Sequence, residues 1–274
     1  MMNRKHTFKR ALPDGSGAGV SSRARKDWVR RRSPRRPVFS DRSFVAEKCR
    51  TVAPMLCYMV FYLLSFMLIE HWNRLHYTVI HTAVDDLIPF VPAFVIPYFL
   101  WFPYVTCAML FLLIVNEDAY HRLATVLVIG MTIFIGVSII FPNIHLMRPE
   151  TMPDNGIFSR AVSLLYLVDT PTNLTPSIHV FNSLAVVGAF WTWNWKRDDG
   201  RTFSTGFRIF WQAAITFLGL MITLSTMLIK QHSFSDVVIA VLLFVVTYAL
   251  VYRLDFTFDG LRRGGRVLHP LRIR

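Results

Sequence analysis

Six stretches of the chain, at about 52–69, 91–115, 123–142, 177–195, 209–229 and 233–252, are apolar almost without interruption. Each is close to the roughly 20 residues that a helix needs to cross a hydrocarbon core. Backbone groups surrounded by lipid have no water to bond to, so such segments must satisfy their hydrogen bonds internally. The pattern therefore predicts an all-α protein, a bundle of six transmembrane helices. A hydrophobic share of 53% against 17% charged residues excludes an ordinary soluble domain. Pro92, Pro97 and Pro103 interrupt the second stretch, and they predict a short interfacial piece before the crossing proper.

The charged residues orient this bundle. Half of the 30 Lys and Arg fall within residues 1–50, among Gly, Ser and Pro and without apolar periodicity. Such a segment buries too little surface to offset its chain entropy, so 1–50 is expected to be a disordered basic tail. Six crossings put both termini on one side, and the opposite side keeps only Arg74, Arg148, Arg160 and Lys230 of the 30 basic residues. The positive-inside rule then assigns the 1–50 and 254–274 tails to the cytoplasm, with a membrane domain at 51–253 between them. A tail of this kind suits contact with anionic lipid headgroups.

The basic residues lie outside the apolar runs instead of being interleaved with a soluble fold, so the expected partner is the bilayer and not nucleic acid. No apolar core appears before position 52, so no signal peptide is expected. Cys49, Cys57 and Cys107 make neither a CxxC pair nor a disulfide framework and read as small buried hydrophobes. Trp72, Trp191, Trp193, Trp195 and Trp211, at run ends, fit interfacial belts.

Two polar clusters sit at the ends of apolar runs, where ionisable groups are costly unless they have a role. The first, Asn173-Leu-Thr-Pro-Ser-Ile-His-Val-Phe-Asn182, sets Ser177 as an N-cap and His179 just inside the fourth helix. The free N–H groups of such a terminus attract anions, and a histidine there can protonate a leaving oxygen. The second cluster runs from Ser225-Thr226 through Lys230 and His232 to Asp236. His232 and Asp236 are four residues apart, which on a helix sets the carboxylate against one ring nitrogen and raises the basicity of the other. Arg148-Pro149 opens the long connection 143–176 on the same side, and a guanidinium there suits a phosphate.

In this order, Arg-Pro, Pro-Ser-x-His and Ser-x6-His-x3-Asp, the clusters resemble the three signature motifs of the type 2 phosphatidic acid phosphatase (PAP2) family, related in fold to vanadium haloperoxidases. The resemblance covers roughly residues 123–252. It implies a PAP2-like membrane enzyme in which His232 attacks phosphorus to form a phosphohistidine, Asp236 orients it and His179 protonates the leaving alcohol. Arg148, Ser177 and Ser225 would hold the phosphoryl oxygens, with no metal and no cofactor. The chain departs from the family at Phe141, where a Lys is usual, and at Thr226, where an Arg is usual. Lys230 and Arg160 are the nearest candidates to replace those cations. The third motif also resembles the sphingomyelin and inositol phosphorylceramide synthase branch, through His-x3-Asp-Val at 232–237.

The expected function is hydrolysis of a lipid phosphate monoester or pyrophosphate at the extracytoplasmic face. Head-group transfer to a lipid hydroxyl and a catalytically silent lipid-binding role are the alternatives. Asp85-Asp86, being adjacent, point apart on a helix and carry little weight as a pair. The Asn173-Leu-Thr175 sequon abuts the proposed site, where a glycan would block access.

Overall fold

The structure is a computed structural model that describes residues 42–72 and 76–258. Residues 1–41 and 259–274, with most of both expected tails, lie outside the described residues, as does Arg74. The first helix, α1, spans Arg42–Glu70. Residues 42–50, expected in the tail, are its opening turns. The correction has a tertiary cause: Lys48 Nζ reaches Glu117 Oε1 at 2.7 Å, so these polar turns are anchored to a neighbouring helix.

After a two-residue strand β1 (Thr78–Val79) comes the short α2 (Ala83–Leu87) and a 3-10 turn, Pro92–Phe94. These precede the long helix, in the region where the prolines predicted a short interfacial piece. The helix α3 (Val95–Val115) follows, then α4 (Glu117–Ile140), capped by Asn116, whose side chain accepts from the Ala119 N–H. Strand β2 (Asn143–Ile144) pairs in parallel with β1. The long connection carries a helix of its own, α5 (Ile157–Val168). Last come α6 (Ile178–Thr192), α7 (Thr205–Leu228) and α8 (Phe234–Tyr248), which runs on as a π-helical turn, Ala249–Arg253.

Among the described residues five helical segments are long and apolar enough to cross a membrane: Arg42–Glu70, Pro92–Val115, Glu117–Ile140, Thr205–Leu228 and Phe234–Arg253. The sixth expected crossing is α6, and it is only 15 residues long. At 1.5 Å per residue it extends about 22 Å, short of a hydrocarbon core of about 30 Å. Its position explains how it survives. Val180, Phe181, Ala185, Val186, Ala189 and Phe190 are all buried, and α6 packs on α3, α4, α7 and α8. A helix wrapped by protein need not match the thickness of the lipid.

Below α6 the chain closes an aromatic cluster, not a belt. Trp193 and Trp195 are buried and stack with centroids 4.7 Å apart, whereas Trp72, Trp191 and Trp211 are exposed as interfacial residues would be. The three cysteines also differ from expectation, being free and exposed on helix exteriors.

Candidate functional site

The site is assembled where the first turn of α6, the first turn of α8 and the loop closing α7 converge. Ser177 caps α6, its hydroxyl accepting from the Val180 N–H at 3.4 Å, while its own N–H donates to the Asp236 carbonyl. Two helix starts are thereby joined. Asn143, fully buried, reinforces the join by accepting from the N–H groups of Leu174 and Thr175 and donating to the Phe141 carbonyl.

His232 lies just outside α8, whose cap is Ser233. The expectation that His232 and Asp236 share a helix face is therefore corrected: the carboxylate reaches back through a capping box. Asp236 Oδ2 accepts from the Ser233 N–H at 2.9 Å and stands 3.5 Å from His232 Nδ1. Asp236 Oδ1 accepts from the Thr175 hydroxyl. At 3.5 Å the His–Asp contact is an ion-pair distance and not a closed hydrogen bond, a gap common in catalytic pairs before substrate binds. His232 is also fixed from behind, where its N–H donates to the Thr226 carbonyl at 3.0 Å.

His179 faces His232, with ring centroids 5.7 Å apart. It is gripped by two rings of α3, Tyr98 and Trp101, each 4.4 Å away centroid to centroid. Both histidines are nearly buried, at 8% and 5% exposure, and Asp236 is fully buried. Nδ1 of His179 has no hydrogen-bond partner among the described residues.

Arg148 sits beside the pair in a dense polar network. Its Nη2 donates to Gln231 Oε1 at 2.5 Å and to the Asp169 carbonyl at 2.6 Å, and Nη1 donates to the Tyr166 carbonyl at 3.3 Å. The guanidinium lies 4.2 Å from the Tyr166 ring centroid. Burial pulls its pKa below that of a free guanidinium, against the opposing pull of Asp169. Asp169 Oδ2 in turn accepts from Tyr98 at 2.7 Å and Gln231 at 2.9 Å. His145 closes the set. Its Nε2–H donates to the Gln231 carbonyl at 3.0 Å, which fixes the tautomer and leaves Nδ1 to accept from Met147 N–H. Burial pushes its pKa down to about 4, so this imidazole is neutral at neutral pH.

Not every expected group is in place. Lys230 is committed elsewhere: its ammonium donates to the carbonyls of Asp85 and Ile88 at 2.8 and 2.6 Å, tying α2 to the end of α7. That use corrects the assignment of Lys230 as a substitute cation. Ser225 is buried with its hydroxyl on the Ile222 carbonyl. Arg160 is exposed on α5. Phe141 is exposed at the end of α4, and Thr226 is buried with its hydroxyl on the Thr223 carbonyl. Asn173 is buried, at 3% exposure. Among the described residues no group of three or more His, Cys, Asp or Glu is arranged to hold a metal ion.

Residues 142–259 match the family model described as PAP2 superfamily. Through this stretch the chain is similar to the PAP2 superfamily. The PAP2 match contains Arg148, Ser177, His179, His232 and Asp236. Comparisons with curated proteins and with solved structures gave no match. The residues that the sequence reading missed are His145, Asp169, Gln231, Tyr98 and Trp101. Gln231 was adjacent to His232 and Asp169 close to Asn173, so both lay in or beside flagged clusters. Tyr98 and Trp101 were hidden in an apolar run where aromatics carry no signal.

Proposed function

We propose that this membrane protein is a lipid phosphatase that hydrolyses a phosphate monoester or pyrophosphate through a phosphohistidine, with the site on the face away from the cytoplasm. The observation that carries the reading is the pair of buried imidazoles, 5.7 Å apart, with Asp236 behind His232. That proximity brings a candidate nucleophile and a candidate acid to one site, where both can act on a single phosphoryl group.

His232 Nε2 attacks phosphorus, the bond from phosphorus to the leaving oxygen breaks, and His179 gives that oxygen its proton. Asp236 stabilises the charge gained by His232. Water then attacks the phosphohistidine, His179 takes a proton from it, the P–N bond breaks and inorganic phosphate leaves. Arg148 and the N-terminal amides behind Ser177 bind the phosphoryl oxygens, supplying charge where it develops. The site lies in a chain whose described residues include five helices long and apolar enough to cross a membrane, which supports a lipid substrate. The paucity of basic residues on the side of the site supports its extracytoplasmic placement.

Group transfer is the second reading, favoured by the near burial of both histidines, because exclusion of water lets a lipid hydroxyl take the phosphoryl group instead. The test is reconstituted protein given a phosphorylated lipid, then a phospholipid donor with a diacylglycerol or ceramide acceptor. Release of free phosphate, lost in His232→Ala, is the expected result. A new phospholipid in its place selects transfer, and no product from either mixture overturns both readings.

A further inference from the structure

Helix α5 does not fit a water-facing loop. It has 12 residues, about 18 Å of helix, too short to cross a membrane. Its inner face buries Ser159, Val162 and Leu165, the latter two packed with Val95, Tyr98 and Ile229. On the other side Ile157, Leu164, Leu167 and Val168 are exposed at 77%, 65%, 81% and 85%. Those positions fall on one stripe of a 3.6-residue helix. An apolar stripe of this kind, interrupted only by Arg160, marks a contact surface and not a face turned to water.

Three neighbours identify what covers it. Leu87 and Leu146, in the adjoining connections, are exposed at 82% and 75%. The span α3, against which α5 packs, exposes Ile96, Phe99 and Phe102 along its length. The stripe thus adjoins the exposed apolar surface of a helix long and apolar enough to cross a membrane. Arg160, exposed between the apolar residues, has the reach to carry its charge to a phosphate while its stem stays in apolar surroundings. The polar turn before α5, where Asp154 accepts from Gly156 N–H and Ser159 Oγ, marks the end held in water.

We infer that α5 lies in the lipid leaflet on the side of the site, with Ile157, Leu164, Leu167 and Val168 among acyl chains, so that a phosphorylated lipid reaches Arg148 sideways from the bilayer. Tyr166, on this same helix, links the two functions: its carbonyl and ring hold Arg148, and its hydroxyl donates to the Ile229 carbonyl at 2.6 Å. The delivery half of the inference rests on the proposed phosphatase reading. The embedding half does not.

Full-length protein with Cys49, Cys57 and Cys107 replaced by alanine, reconstituted in phosphatidylcholine vesicles, tests the embedding. A fluorophore at Leu164→Cys should be quenched by lipids brominated on their acyl chains and shielded from aqueous iodide, and one at Asp154→Cys should be open to iodide. Equal iodide access at the two positions overturns the inference. So does shielding at 164 that disappears at one copy per vesicle, since a second copy is then the cover. For delivery, Leu164→Glu with Leu167→Glu should raise the apparent KM for a vesicle-borne lipid phosphate about tenfold and leave kcat/KM for soluble p-nitrophenyl phosphate unchanged. Equal loss on both substrates overturns delivery. Wild-type protein that turns over neither substrate removes the phosphatase reading and delivery with it, and the quenching result still decides where α5 lies.

Discussion

Tyr98 stacks on His179, ring centroids 4.4 Å apart and planes 29° from parallel, while its hydroxyl donates to Asp169 at 2.7 Å. One side chain therefore couples the proposed acid to the carboxylate that organises Arg148 and Gln231. Tyr98→Phe keeps the ring and deletes a hydrogen bond to a charged group, worth about 1.5–3 kcal/mol. Turnover should fall roughly tenfold and the thermal midpoint should fall by a few degrees, because the bond serves both the alignment and the fold. Tyr98→Ala, which also removes the stacking, should fall further. A Tyr98→Phe rate equal to wild type would break the coupling.

Asp236 has three tasks: it caps α8, accepts from Thr175 and stands behind His232. Asp236→Asn preserves the shape and much of the capping but removes the charge. The expected loss in kcat is roughly 10²–10⁴, the range for a misoriented or unsupported histidine, with helical content by circular dichroism near wild type. Thr175→Val should cost much less, since Ser233 still holds the carboxylate. Equal losses in the two variants would mean that the effect is structural.

The apolar runs made the helices and their order legible because lipid solvation imposes one requirement on every spanning segment. The start of α6 was legible too, since Ser177 is a capping residue at the edge of an apolar run, whereas α8 begins after its Ser233 cap and so leaves His232 outside the helix on which the spacing had placed it. Less visible was which polar groups meet. Asp169 and Tyr98 are 71 residues apart, and no local pattern announces a bond between them. Lys230 misled for a related reason: its charge and location suited a phosphate, but its positive φ of 52° and the fold of α2 direct it to backbone carbonyls.

Asp85 and Asp86 show the same limit in one dipeptide. Asp86 is exposed and pairs with His81 at 2.8 Å. Asp85 is buried, accepting from Phe234 N–H and the Ser233 hydroxyl as well as from Thr82. Burial pushes its pKa up, but these hydrogen bonds together outweigh it and hold the carboxyl below its ordinary value. A depressed pKa stabilises the fold above the unfolded value and loses that contribution as the pH falls through the folded one. Asp85→Asn, which mimics protonation, should destabilise by about 1–3 kcal/mol, whereas Asp86→Asn should shift the midpoint by less than about 0.5 kcal/mol. Thermal unfolding in detergent at neutral pH compares the two. Equal shifts would deny Asp85 its place at the start of α8.

His145 gives a second pH signature in a different window. Burial lowers its pKa from 6.5 to about 4, so the unfolded chain binds a proton more readily than the folded one. The contribution is complete above about pH 6.5, is lost as the pH falls towards 4 and is flat below. A shift of that size corresponds to something on the order of 3 kcal/mol. The thermal midpoint should therefore drop steeply between these limits, and His145→Gln should flatten the drop while lowering stability at neutral pH, since Nδ1 and Nε2–H both have backbone partners to lose. An unaltered pH slope in His145→Gln would assign the acid sensitivity to other groups.

The distance between α4 and α6 decides whether His179 stays aligned, and Gly130 sets it. A Cβ added at Gly130 would fall inside the ring of Phe181, which is itself 1% exposed and has no room to retreat. Phe181 is two residues from His179 on α6, so any shift that relieves the clash moves the proposed acid. Overpacking of this kind costs typically about 1–3 kcal/mol. Gly130→Ala should thus lower both the thermal midpoint and kcat. Gly136, on the same helix, has nothing within 4 Å of an added Cβ, and Gly136→Ala should be neutral or stabilising by up to about 1 kcal/mol. If both variants keep full activity and stability, close contact between α4 and α6 is not what positions His179, and the grip of Tyr98 and Trp101 must suffice alone.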